Sequence, residues 1–250
     1  MKSSIDDLRK RGFVSKSDIT SSLNSSIANL TKMLDHGNPF ERTLAIIGLR
    51  EHFSLDNYDY VSLLLKKLSI ENALYTKIEI CNSLQSGSSF TADVMCKYLG
   101  KIGNNQHLIV PASVSKKKSY PLPRDIIARC LGNMDKSVVS VLFDNLYSDD
   151  VCQISELIDA IGFLVYYNQE LADSQSFNVL VSTYERFNAN ELVIWKIALC
   201  CSAFPIVESN LLLEKISKNT TNQTILSEVL RSKKIIDTNY AKNPFTGVVQ

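Results

Sequence analysis

The apolar residues of this chain recur three or four positions apart along nearly its whole length, and the regular structure that answers to this spacing is the amphipathic helix. From Ser17 onward, Ile19, Leu23, Ile27, Leu30 and Leu34 keep the interval. Ser17 is a good N-cap, with Thr20 and Ser21 still in the first turn. The segment stops at His36-Gly37-Asn38-Pro39. Gly37 suits the left-handed position after a helix, and Pro39 cannot continue that helix. The same Asn38-Pro39 pair opens the next one, with Asn38 as cap and Pro39 in the first turn, where its missing N–H costs nothing.

From there the pattern pairs up. Leu44, Ile47, Leu49 and Phe53 mark one helix. Asp56 is then placed to cap a partner carrying Val61, Leu64, Leu65 and Leu68. A connection of a few residues makes such a pair antiparallel neighbours. The hairpin recurs as 71–85 with a helix capped by Ser88 or Ser89, as 122–133 with 137–147, as 151–167 with 174–187, and as 190–204 with 206–217. A last helix spans about 221–232. Only 9 Gly and 6 Pro occur in 250 residues, fewer than a sandwich or barrel full of tight turns would use.

A finer pattern sits on the first helix of successive hairpins: a cation seven residues before a core Leu or Ala. It joins Arg42 to Leu49, Lys77 to Leu84, Arg124 to Leu131 and Lys196 to Ala203. The helix near Val151 keeps the apolar frame without the cation. Taking Leu49, Leu84, Leu131, Ile161 and Ala203 as equivalent gives spacings of 35, 47, 30 and 42. Periods of this size belong to helical-hairpin repeats, in which stacked neighbours bury what one hairpin cannot.

On these residues the chain resembles the HEAT-repeat family, and especially the HEAT-like repeats named after phycobilisome lyases. The best match is Pro123-Arg-Asp-Ile-Ile-Ala-Arg-Cys-Leu-Gly-Asn-Met with Ser137-Val-Val-Ser-Val-Leu-Phe-Asp-Asn-Leu. Glu41-Arg-Thr-Leu-Ala-Ile-Ile-Gly-Leu is a looser one. The resemblance covers about residues 38–218 and departs from the family in its uneven period and few Gly after the core Leu. It implies an all-α, right-handed α-solenoid of HEAT-like hairpins. The expected organisation is an N-terminal capping helical segment over 1–37, repeats over 38–234, and a mobile tail over 235–250.

Charge and cysteines bound the function. Lys plus Arg number 27 against 26 Asp plus Glu, a net charge of +1. Duplex binders usually carry a marked basic excess, because each phosphate contact rests on a cation displacing counterions. Nucleic acid is therefore not the expected partner. The first residues carry cations with no apolar stretch behind them, and no run reaches the length of a membrane span. A cytoplasmic protein without membrane contact is expected. The six cysteines then read as reduced, buried small hydrophobes.

The search for chemistry leaves little. His36, His52 and His107 share no helical i, i+4 spacing, no Cys-x-x-Cys occurs, and all three histidines read as surface or cap residues. Leu99-Gly-Lys-Ile-Gly103 lacks phosphate-loop spacing and follows a helix. Cys200-Cys201 reads as core packing. Some HEAT-like DNA glycosylases hold a damaged nucleotide with Trp, Asp and Arg on a basic face. Here Trp195 has no carboxylate one turn beyond it, only Glu191 one turn before. Bilin lyases share the architecture but leave no local motif to test. No catalytic, cofactor-binding or metal-binding residue is assigned.

The expected function is a non-catalytic scaffold or adaptor that binds a protein partner, the HEAT-like DNA glycosylase being the alternative. The resemblance implies that second helices line a concave groove. This makes Lys66, Lys67, Lys97, Asp144 and Glu185 candidate partner-binding residues of mixed sign. A second candidate is the segment 103–123, which causes the 47-residue spacing and carries Lys116, Lys117, Lys118 and Tyr120 among prolines. It reads as a basic-aromatic loop contributing little to the core, with Tyr120 free to stack on a partner.

Overall fold

The computed structural model describes residues 4–23 and 25–242, which among them hold α-helices and short 3₁₀ turns and no strand. The chain divides into two compact units, Met1–Met95 and Cys96–Gln250.

The first unit contains α1 (Ile5–Arg9), α2 (Lys16–Leu23), α3 (Ile27–Met33), α4 (Pro39–Arg50), α5 (Tyr58–Ile70), α6 (Leu74–Gln85) and most of α7 (Ser89–Cys96). Helix α4 packs against α2, α3 and α6, and α5 packs against α6. The single helix expected from Ser17 to Leu34 is two. Ser26 caps α3 afresh, its hydroxyl accepting from Asn29 N at 3.3 Å. Serine side chains compete well with the helical backbone, so an apolar interval that continues across such a run does not keep the helix whole. Asn38 and Pro39 start α4 as anticipated, with Phe40 N donating to Asn38 Oδ1 at 3.0 Å. At α5 the cap is Asn57 and not Asp56.

Gly12 is held at φ 88, where an L side chain is strained, and a Cβ there would lie 2.3 Å from Thr76 Oγ1. Thr76 and Thr43 in turn share a hydroxyl hydrogen bond of 2.9 Å. The backbone between α1 and α2 thus passes directly over the α4–α6 contact.

The second unit contains α8 (Ile126–Gly132), α9 (Val139–Asp144), α10 (Val151–Tyr167), α11 (Ser174–Arg186), α12 (Glu191–Cys201), α13 (Val207–Asn219) and α14 (Gln223–Lys242). Helix α10 packs on α8 and on α12, and α12 packs on α14. Helices α9, α11 and α13 lie against this row, α11 touching α12 and α13. Asp125, Asp150, Asp173 and Asn190 cap α8, α10, α11 and α12 through their side-chain oxygens. Helix α14 continues well past Ser232, because Ile235 and Ile236 extend the buried face begun by Ile225 and Val229. The expected tail is therefore helical through Lys242, and its remainder, 243–250, lies outside the described residues.

The segment between α7 and α8 corrects the expectation of a loop outside the core. Tyr120 is 2% exposed. Its hydroxyl sits where a Cβ on Gly162 would be, 2.1 Å away, and its ring meets Phe163 and Tyr166. Arg231 of α14 donates to the carbonyls of Lys117 (3.0 Å) and Ser119 (2.8 Å). Helix-forming residues are scarce here, so the segment stays irregular, but one aromatic anchor and one arginine fasten it to the unit.

Candidate functional site

Helix α12 is buried from Val193 to Cys201 without interruption, and in the middle of that run stands Lys196, 0% exposed. Helix α10 is likewise buried from Ile154 to Gly162, a stretch that includes Glu156 and Asp159. These carboxylates are three residues apart and share one face of α10. The packing of α10 on α12 brings them to the lysine. Lys196 Nζ bonds Asp159 Oδ2 and lies 3.3 Å from Glu156 Oε1. Burial works against the ammonium, but Asp159 and Glu156 together hold it above its ordinary range. The shortfall falls on the acids. Burial pushes Glu156 up to about 7 and raises Asp159, each against the pull of Lys196.

Two further buried acids face the same region. Asp125, 0% exposed, accepts from Ala128 N, Gln106 Nε2 and Gly100 N. Glu228 of α14 is also 0% exposed and pairs with Arg231 at 2.7 Å; burial raises its carboxyl as well.

His107 closes one side, its ring edge-on to the indole of Trp195 at 5.0 Å between centroids. It is half-buried, not the surface or cap residue expected. Arg124 Nη1 lies 3.1 Å from His107 Nε2. A guanidinium can only donate, so Nε2 is the acceptor and the proton sits on Nδ1. Burial first, then the charges of Lys196 and Arg124, lower this imidazole to about 4, so it is neutral at physiological pH. A cavity of about 200 Å³ lies among these groups, lined by His107, Arg124, Asp159, Trp195 and Glu228 with Pro111, Val114, Pro121, Leu122 and Leu199 as apolar wall.

Sequence reasoning missed this cluster. It sought a carboxylate on the helix of Trp195, whereas the acids come from α10 and α14. A signal was present: one lysine in the otherwise apolar Val193–Cys201, and two acids three apart in the apolar α10. The glycosylase alternative called for Trp, Asp and Arg together, and Trp195, Asp159 and Arg124 do line one cavity. The indole, however, is 5% exposed, with Lys196 Nζ over its ring at 5.5 Å and His107 at its side. That leaves no open face on which a base could stack. Cys200 and Cys201 are buried, and burial raises both thiols, so neither is an activated nucleophile. Of the other cysteines, Cys96 and Cys130 are buried as expected, whereas Cys152 is exposed and Cys81 half-buried.

A second concavity lies on the other side of residues 113–115. It is a groove of about 800 Å³ between the loop 112–118 and α14. Its cations are Lys116, Lys117, Lys118, Arg231 and Lys234, with Val114 and Ile235 as apolar floor, and among the described residues it is lined by no carboxylate and no aromatic ring.

The sequence candidates thus scatter. Lys116, Lys117 and Lys118 are exposed and meet in the groove, while Tyr120 is core. Lys66 and Lys67 belong to the first unit, where Lys66 is exposed and Lys67 is half-buried in an ion pair with Asp35. Lys97, Asp144 and Glu185 are exposed residues of the second unit outside the groove, Glu185 being paired with Lys215. Among the described residues no cluster of His, Cys, Asp and Glu is suited to a metal ion, and no helix is long and apolar enough to cross a membrane. Compared with models of known protein families and with curated proteins, the sequence matches none.

Proposed function

We propose that this chain is a non-catalytic, HEAT-like adaptor that binds a protein partner, and that the partner presents an acidic, extended segment to the groove between residues 112–118 and α14. The observation that carries the reading is the lining: among the described residues, five cations and no carboxylate along about 800 Å³. Arg231 is committed to Glu228 and to two loop carbonyls, so it builds the groove more than it reads a partner. The four lysines are the free reading groups, and Val114 with Ile235 offers apolar contact to alternate side chains of an extended peptide. Hydroxyls of Ser113, Thr224 and Ser227 add hydrogen bonds. A protein segment suits this lining better than a nucleic-acid strand. Among the described residues the groove has no ring on which bases could stack, and the chain carries a net charge of only +1.

Fluorescence anisotropy tests it, with labelled peptides that intersperse Glu and Asp with Val and Leu, at ~150 mM salt. Saturable binding is expected for the acidic peptides and not for their Lys-substituted counterparts. The triple change Lys116→Glu, Lys117→Glu, Lys118→Glu should weaken it by about tenfold or more, with the melting temperature unchanged. Equal affinity for acidic and basic peptides, or tighter binding of a single-stranded oligonucleotide than of any peptide, would overturn the assignment.

A further inference from the structure

Beyond the groove, the core around the inner cavity holds more buried acids than buried cations. Four buried carboxylates, Asp125, Glu156, Asp159 and Glu228, face two buried or nearly buried cations, Lys196 and Arg231. Arg124 stands in solvent at the rim. Hydrogen bonding is equally incomplete. Glu156 Oε2, Asp159 Oδ1 and Glu228 Oε2 are buried with no donor in the protein, while Trp195 Nε1 and His107 Nδ1 are buried with no acceptor and Tyr120 Oη has no partner. Asp125 differs, since three N–H groups satisfy it. A buried charge without partners is costly, and buried polar groups ordinarily find them.

Asp159, Glu228 and Trp195 belong to the wall of the 200 Å³ cavity. A dry cavity of ~150 Å³ accepts benzene, so this volume suits a small organic molecule. The donor set is not that of a metal site. What the wall acids Asp159 and Glu228 lack is a positive charge carrying N–H donors, and an apolar body would lie against Pro111, Pro121, Leu122 and Leu199. We infer that the cavity between α10, α12, α14 and residues 107–124 is a binding site for a small organic cation, a primary amine or guanidine of a few carbons. Its N–H groups would satisfy the Asp159 and Glu228 oxygens, and its hydrocarbon part would lie along the proline and leucine wall. His107 leaves room for this charge because it is neutral, and Tyr120 and Cys200 beside the acids are likewise held in their neutral forms by burial.

Binding of a cation favours ionised acids. The wall acids Asp159 and Glu228, both raised by burial, should therefore release protons on binding, and affinity should rise with pH. Isothermal titration calorimetry of the whole protein at pH 8 tests this with n-butylammonium, benzylammonium and methylguanidinium, and with n-butanol and benzyl alcohol as neutral counterparts. At least one cation should bind at a single site with Kd at or below ~1 mM, and the alcohols should not. The affinity should be about tenfold weaker at pH 6, with proton release seen between buffers of different ionisation enthalpy. Leu122 is 44% exposed on the cavity wall, so Leu122→Trp should obstruct the cavity without touching the charges or the fold. Glu228→Gln should weaken binding while keeping the side-chain volume. No binding by any of the three cations, equal binding by the alcohols, or undiminished binding in Leu122→Trp would each overturn the site. Undiminished binding in Glu228→Gln would overturn its electrostatic basis.

Discussion

Arg42 in the first unit and Lys196 in the second each stand seven residues before a core residue, Leu49 and Ala203, yet they meet opposite circumstances. The Arg42 side chain is 20% exposed and makes a two-pronged pair with Glu71, its Nε and Nη2 each 2.8 Å from a carboxylate oxygen, while Nη1 donates to the carbonyls of His36 and Gly37. Glu71 also accepts from the backbone N–H groups of Asn72 and Ala73. Burial alone would raise Glu71, but its donors, Arg42 foremost, outweigh it and hold the carboxyl below its usual value. Around Lys196 the balance reverses. The lysine is wholly enclosed, it serves two acids at once, and both carboxyls end up raised. The same spacing along the chain thus sets two cations in quite different surroundings. The number of donors that converge on its partner decides whether the placement stabilises the fold.

Removing each cation is the most forceful way to break this comparison. Lys196→Met leaves Glu156 and Asp159 buried without a counter-charge and should cost about 3–5 kcal/mol. Arg42→Met removes charge-assisted bonds at a partly solvated place and should cost about 1.5–3 kcal/mol. Urea denaturation measures both, with fluorescence of the sole tryptophan, Trp195, reporting the second unit and far-UV circular dichroism the whole chain. Equal losses would show that the two sites are energetically alike.

The loop of the second unit carries the same contrast on a smaller scale, between a buried anchor and solvated lysines. Tyr120→Ala should cost about 3 kcal/mol, as for other large aromatic truncations. Gly162→Ala, which drives a methyl into the tyrosine hydroxyl, should cost about 1–3 kcal/mol. The Lys116–Lys118 substitutions should stay within about 0.5 kcal/mol. A Tyr120→Ala protein of unchanged stability would return the whole segment to the status of a solvated insertion.

The smallest effect is on pH dependence. Glu156 is raised to about 7, so its folded form keeps a proton that the unfolded chain has released. The stability linked to it is fully present below about 4.5 and is lost as pH climbs towards 7. His107, lowered to about 4, works the other way, its contribution being present above about 6.5 and lost as pH falls towards 4. Asp159 and Glu228 are raised as well and act in the same sense as Glu156. The stability contributed by Glu156 should fall as pH rises from 5 to 7. Glu156→Gln should turn that slope upward by up to ~1.4 kcal/mol per pH unit. Glu71, being lowered, contributes a constant amount over the same range and declines only in more acidic solution. Denaturation midpoints at pH 5, 6 and 7 give both slopes, and coincident slopes for the two proteins would place the raised carboxylate elsewhere.

Much of the helical content was legible because it is local. The interval of three to four, the Asn and Asp caps and the Asn38-Pro39 junction act within one turn of chain, and the structure places α4, α5, α10, α11, α12 and α13 within a few residues of the expected spans. Errors arose where a local signal competes with a distant contact. The α14 helix outruns its polar surroundings because Ile235 and Ile236 find a buried face, and the serine run at the start of α3 breaks an otherwise unbroken apolar interval. The basic loop lysines were readable as solvated, since three consecutive ammonium groups cannot be buried together. Tyr120 was not, because an aromatic among prolines carries the same local signature whether it faces water or a glycine on another helix.

By itself, then, the sequence determined an all-helical chain, its caps and breaks, and an even charge balance, since each follows from neighbours in the chain or from composition. Tertiary structure alone decided that Lys196 meets Glu156 and Asp159, that Glu228 joins them from α14, that Tyr120 replaces a Cβ at Gly162, and that the loop lysines share a groove with Arg231 and Lys234. The physical reason is range. Helix formation is governed by interactions three and four residues apart, whereas the energy of a buried charge depends on what other helices bring within a few ångströms of it, some 30 to 40 residues away along the chain.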